Sequence, residues 1–142
     1  MAGYMTKLQG RVYDGANLSA EKLQNGVFAE ITADGVKTIA AAKDTVLRVA
    51  EKTTLWGLPA VVLDVVSVGA DEVFFVENEW DVAADADYDT AAYELPVGKF
   101  VRMHRPLPGE QLIMSVGDTL YAALNVADKV KPAAEGTIAA AT

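Results

Sequence analysis

The chain has 142 residues, no cysteine, one histidine and a formal net charge of −8. Apolar residues at 51% and charged residues at 23% exclude a disordered chain, and the length suits one domain that buries roughly 70% of its unfolded surface. The missing cysteines exclude disulfides, thiolate nucleophiles and zinc–thiolate centres, and the acidic surplus opposes nucleic-acid phosphates and anionic lipid.

The charge is segregated along the chain. From Thr53 to Gly98 there is no Lys or Arg, while Asp64, Asp71, Glu72, Glu77, Glu79, Asp81, Asp85, Asp87, Asp89 and Glu94 supply carboxylates. Such a tract reads either as a solvated acidic face or as a surface for a basic partner. The longest apolar run, Pro59 to Val68, is broken by Asp64 and Ser67, and Met1-Ala-Gly-Tyr-Met has no charged-then-apolar leader pattern, so a soluble, unexported protein is expected.

In chain order, residues 1–12 read as an extended arm. Leu18 to Gly26 predicts a short N-terminal helix, with Asn17 or Ser19 as cap and Asn25-Gly26 as the left-handed stop. Val27–Thr32 and Val36–Ala42 predict two strands joined at Ala33-Asp34-Gly35, a strong hairpin signal. Val46–Glu51 and Ala60–Val68 predict two more strands, divided by a loop over Thr53–Pro59 that carries Trp56. In the second of these, Val61, Leu63 and Val65 share one face.

Glu72–Trp80 predicts a strand with Phe74, Val76 and Trp80 inward and Glu77 and Glu79 outward. The Ala-, Asp- and Tyr-rich stretch from Asp81 to Gly98 reads as a long surface loop or a brief helix near Thr90–Tyr93. Lys99–Arg105, Glu110–Val116 and Thr119–Leu124 predict a three-strand meander with turns at Pro106–Gly109 and Gly117-Asp118. Residues 133–142 read as a frayed tail in which Thr137-Ile138 adds an edge strand. The fold class expected is all-β, an antiparallel barrel or sandwich of about eight short strands in a single domain over 1–142.

Side chains suited to catalysis are sparse. His104 sits on a strand pattern between Arg102 and Arg105 and is expected at the surface or an interface, and no Ser-His-Asp set has positional support. Glu77 and Glu79, two apart on a strand, point the same way and do not face each other across a cleft. Asp85-Ala-Asp-Tyr-Asp spaces Asp85, Asp87 and Asp89 as some calcium loops do, but Thr90 and Pro96 stand where an EF-hand needs glycine and glutamate. These three remain a weak metal candidate beside the alternative of an acidic loop without metal. No enzyme activity and no cofactor are expected.

Aromatic residues make better anchors for contact, because they bury large area at low entropic cost. Among Tyr4, Tyr13, Trp56, Tyr88, Tyr93 and Tyr121, Trp56 stands out as loop-borne beside Gly57 and Pro59. The expected contact residues are Tyr4, Tyr13, Trp56, Arg102 and Arg105.

Three phrases carry a resemblance. Asn17-Leu-Ser-Ala-Glu-Lys-Leu-Gln-Asn-Gly-Val-Phe, then Glu94-Leu-Pro-Val-Gly-Lys-Phe-Val-Arg-Met-His-Arg-Pro-Leu-Pro-Gly-Glu-Gln-Leu, then Val116-Gly-Asp-Thr-Leu-Tyr-Ala-Ala resemble small auxiliary head proteins of tailed bacteriophages, known as decoration, cement or head-fibre proteins. Glu135-Gly-Thr-Ile matches their C-terminal turn, and the likeness covers about half the chain. The resemblance implies a protein that binds the outside of an assembled capsid and bridges capsomers, often as a homotrimer, with the major capsid protein as partner. The chain lacks a fibre's long repetitive tail, so decoration is the expected role. A carbohydrate- or host-surface-binding β module, calcium-assisted through Asp85, Asp87 and Asp89, is the alternative.

Overall fold

A computed structural model describes residues 4–6, 13–14, 17–55, 57–77 and 94–141. Of these, 49% lie in strands and 8% in helix, arranged as three antiparallel sheets and one short helix. The strands are β1 (Tyr4–Thr6), β2 (Tyr13–Asp14), β3 (Leu23–Gln24), β4 (Phe28–Thr32), β5 (Gly35–Thr38), β6 (Val46–Leu55), β7 (Leu58–Ser67), β8 (Phe74–Val76), β9 (Glu94–Leu95), β10 (Met103–His104), β11 (Gln111–Ser115), β12 (Lys129–Pro132) and β13 (Ile138–Ala140), with α1 at Asp118–Ala123.

The six-stranded sheet runs β1-β11-β7-β6-β12-β13, the five-stranded sheet β2-β10-β8-β4-β5, and β3 pairs β9. The long β6–β7 hairpin is its own argument for the fold: β-branched residues recur along both strands, and pairing runs from Val46↔Ser67 to Leu55↔Leu58 with register shifts at Val46/Leu47 and Val49/Glu51. Pairing therefore continues through most of Thr53–Pro59, the stretch expected to be a loop. Residues alternate across β7 as expected: Val61, Leu63 and Val65 enter the main core, while Ala60 and Val62 pack with Ile113 on the other face.

The main core draws on both large sheets, with Phe28, Ile39 and Phe75 meeting Leu47, Val49, Leu63, Leu112, Met114 and Val130. Phe28 and Phe75 pack at 5.3 Å between ring centroids. The five-stranded sheet is buried on both faces, since Ala29, Phe74, Val76 and Met103 turn the other way to meet Leu23, Leu95 and Val101. That is why Phe74, Phe75 and Val76 are all buried, where one-sided alternation was expected.

Several expected elements differ. The segment 18–26 is not a helix: Leu18 and Ser19 form isolated bridges to Phe100 and Val36, and Leu23–Gln24 is a strand. Ser19 N donates to Lys99 O at 2.8 Å and Ala20 N to Val36 O at 2.9 Å, so distant backbone partners replace the helix bonds. Thr119–Leu124, expected as a strand, lies in α1 and its cap, because Leu120 and Tyr121 pack on the main core and Leu124 is buried in it. The meander also fails, since β10 and β11 belong to different sheets and β11 pairs β7 and β1. Residues 78–93, which hold the expected strand positions Glu79 and Trp80, the start of the expected long loop and the expected brief helix near Thr90–Tyr93, lie outside the described residues.

Near the hairpin β4–β5, the Glu30 carboxylate accepts the Ala40 N–H at 2.8 Å and the Lys43 ammonium at 3.1 Å. The Ala40 bond, with Lys43 beside it, outweighs partial burial and holds the Glu30 carboxyl below its ordinary titration range.

Candidate interaction surface

Segment 96–101 is laced to segment 17–20. Ser19 Oγ donates to Pro96 O at 2.7 Å and accepts the Lys99 N–H at 3.2 Å. Gly98 N donates to Ser19 O and Val101 N to Asn17 O, both at 2.9 Å. Leu18 and Phe100 are antiparallel bridge partners, which places their side chains on one face. Val101 and Leu95 turn inward, leaving Leu18 47%, Val97 58% and Phe100 67% exposed. The backbone is fixed while the apolar side chains stay in water, the arrangement a rigid docking surface needs.

Basic residues flank this apolar group. Lys99 is exposed and Arg102 half-buried, while the Arg105 guanidinium donates to Glu72 at 2.7 Å and lies 5.3 Å from the Phe74 ring centroid. With both side chains more than half exposed, the Arg105–Glu72 pair contributes about 0–1 kcal/mol.

His104 is not at the surface. It is fully buried, with Nε2 2.9 Å from Glu110 Oε1, Nδ1 3.5 Å from Glu77 Oε1 and its ring edge-on to Phe75 at 6.0 Å. Glu110 is likewise fully buried and Glu77 6% exposed, so the expected outward Glu77 is corrected as well. The five-stranded sheet is covered on both faces and leaves no solvent side for either residue, and their polar contacts to one another make the burial tolerable. The sequence holds one hint of this: His104 and Glu110 stand at the two ends of the Pro106–Gly109 turn.

Tyr4 pairs Met114 in register and Tyr13 pairs His104, so the two expected contact tyrosines fall on edge strands of different sheets. Trp56 and the acidic Asp85, Asp87 and Asp89 lie outside the described residues. Sequence reasoning missed Phe100 as an anchor, because Lys99–Arg105 reads as a strand and an aromatic there reads as core. Among the described residues no group of three His, Asp or Glu side chains converges on a metal position, and no helix is long and apolar enough to cross a membrane. No family model, curated protein or solved structure matches this chain.

Proposed function

We propose that this chain is a structural virion protein that binds the outer surface of an assembled phage capsid and stabilises the shell by bridging capsomers. Its partner is the major capsid protein, and it acts as a homotrimer with its two large sheets closed about the main core as a sandwich. The observation that carries the reading is the water-exposed Leu18–Phe100 bridge pair on a backbone laced by hydrogen bonds, with Val97 of the same segment also exposed. The sequence resemblance to phage auxiliary head proteins, carried in part by the same 94–112 stretch, supports it.

Burying a whole phenylalanine side chain contributes about 1.5–3 kcal/mol, and Phe100 has two thirds of its surface left to cover. Repeated around a symmetric shell, such modest contacts act together through high effective concentration. The test is co-sedimentation with shells assembled from the major capsid protein encoded beside this chain. Wild-type protein should saturate the shells at a fixed ratio to shell subunits, and Phe100→Ala should bind at least tenfold more weakly while keeping its unfolding midpoint. Failure of the wild-type protein to sediment with shells overturns the reading.

A further inference from the structure

Asn25-Gly26 is a motif that the contact function does not use. It forms the turn between β3 and β4, with Gly26 at φ +80°. Of the chain's four asparagines, Asn25 alone is followed by glycine. A backbone nitrogen reaches the preceding asparagine amide most easily when it belongs to glycine, because no Cβ crowds the approach. The Gly26 nitrogen gives its proton to a base and bonds to Cγ of Asn25, and the side-chain nitrogen leaves as ammonia. Water then opens the cyclic imide at either carbonyl, giving aspartate or isoaspartate. The sum is amide plus water to carboxylic acid plus ammonia, with nothing oxidised or reduced.

Folding closes this route at each step. Asn25 is fully buried and Gly26 is buried beside it. The Gly26 N–H, whose proton must leave first, donates to Val76 O at 2.9 Å, and Val76 N donates to Val27 O at 3.0 Å. The attacking nitrogen is therefore bonded, dry and fixed against β8. Leu23 and Val27, on either side of the motif, enter the second core with Val76, Leu95, Val101 and Met103. Reaching Asn25 thus requires β3 to leave β9, where Leu23 pairs Leu95 and Gln24 pairs Glu94, and the second core to open.

The product does not fit where the reactant sat. Aspartate places a carboxylate at a site closed to water, and burying that charge is costly. Isoaspartate lengthens the backbone by a carbon within a turn whose bonds to Val76 set its span.

We propose that Asn25 is a self-modification site guarded by the fold: opening of the β3–β4 turn lets Asn25 convert to aspartate or isoaspartate, and the converted chain does not regain the native second core. Conversion makes a transient opening permanent.

The experiment incubates the full chain in mildly alkaline buffer, folded and in urea, and follows the mass and isoaspartate content of the peptide that holds residues 23–27. Asp34-Gly35 closes a similar ring by losing and regaining water, so it adds no net mass change. The folded rate is the unfolded rate multiplied by the open fraction, so Asn25 should convert at least about a hundredfold faster in urea; comparable rates overturn the guard. In urea, Asn25→Gln should abolish the mass change in this peptide, and its persistence overturns the assignment to Asn25. Chain converted in urea and returned to buffer should stay unfolded or unfold at a lower urea midpoint than unconverted chain carried through the same steps. Where the unconverted chain does not refold, Asn25→Asp produced directly takes its place and should show the lowered midpoint. An unchanged midpoint overturns the permanence.

Discussion

Gly136 offers the sharpest test of how the chain's C-terminal turn is seated. Its φ is +79°, in the left-handed region, and a Cβ built there would lie 2.8 Å from Phe28 O, 3.0 Å from Val27 Cβ and 3.2 Å from Phe28 N. The first and third of these are backbone atoms at the start of β4, paired within a sheet and unable to swing aside. Gly136→Ala therefore meets two costs: about 1–2 kcal/mol for an L-residue in left-handed backbone, and about 1–3 kcal/mol for overpacking. Gly109 supplies the control, since its φ is +88° and nothing stands within 4 Å of its added Cβ. Gly109→Ala should show only the backbone cost. Urea unfolding of the two variants, with m checked for constancy, should place Gly136→Ala about 1–3 kcal/mol below Gly109→Ala, a large share of a domain's total of about 5–15 kcal/mol. Equal losses in the two variants would refute the seating of Gly136 against β4.

Glu30→Gln should lower stability at neutral pH by about 1 kcal/mol. Because the Glu30 carboxyl is held below its ordinary range, its contribution is present above that range and lost as pH falls through the folded-state value, so wild type and variant should converge in acid; parallel pH profiles of unfolding would count against it. Phe75→Ala removes a ring packed against both Phe28 and His104 and should cost about 3–5 kcal/mol by thermal or urea unfolding. Arg48→Ala, which breaks a 3.3 Å pair to Asp64 with the arginine half exposed, should shift stability by less than about 0.5 kcal/mol, because Gln111 still donates to Asp64 at 2.7 Å.

Much of the β framework was legible from local pattern. The runs at 28–32, 46–51, 60–67 and 111–115 announce themselves by β-branched and apolar content, whereas the pairing over 53–59 does not, and Thr32↔Gly35 closes the hairpin around Ala33-Asp34. What failed was set by distant partners. Leu18 to Gly26 has helical propensity and a cap, yet the backbone of Ser19 finds Lys99 some eighty positions away, and local preference loses to that pairing. Thr119–Leu124 carries no alternation and forms a helix whose Tyr121 ring sits 4.4 Å from the Lys52 ammonium. The candidate surface and the buried cluster share this limit: Phe100 is outward while Val101 enters the second core, and His104 lies inward against Glu77 and Glu110, positions that a strand pattern alone does not join.

The pairing of Tyr4 with Met114 has a consequence for biosynthesis. The earliest described strand must wait, unattached, until more than a hundred further residues have left the ribosome. Until then β7 lacks its β11 neighbour and the hairpin β6–β7 presents an open, valine-rich border to whatever else is in the cell. Closure of this sheet thus waits on a strand more than a hundred positions beyond β1, and folding yield should depend on how quickly that border is covered.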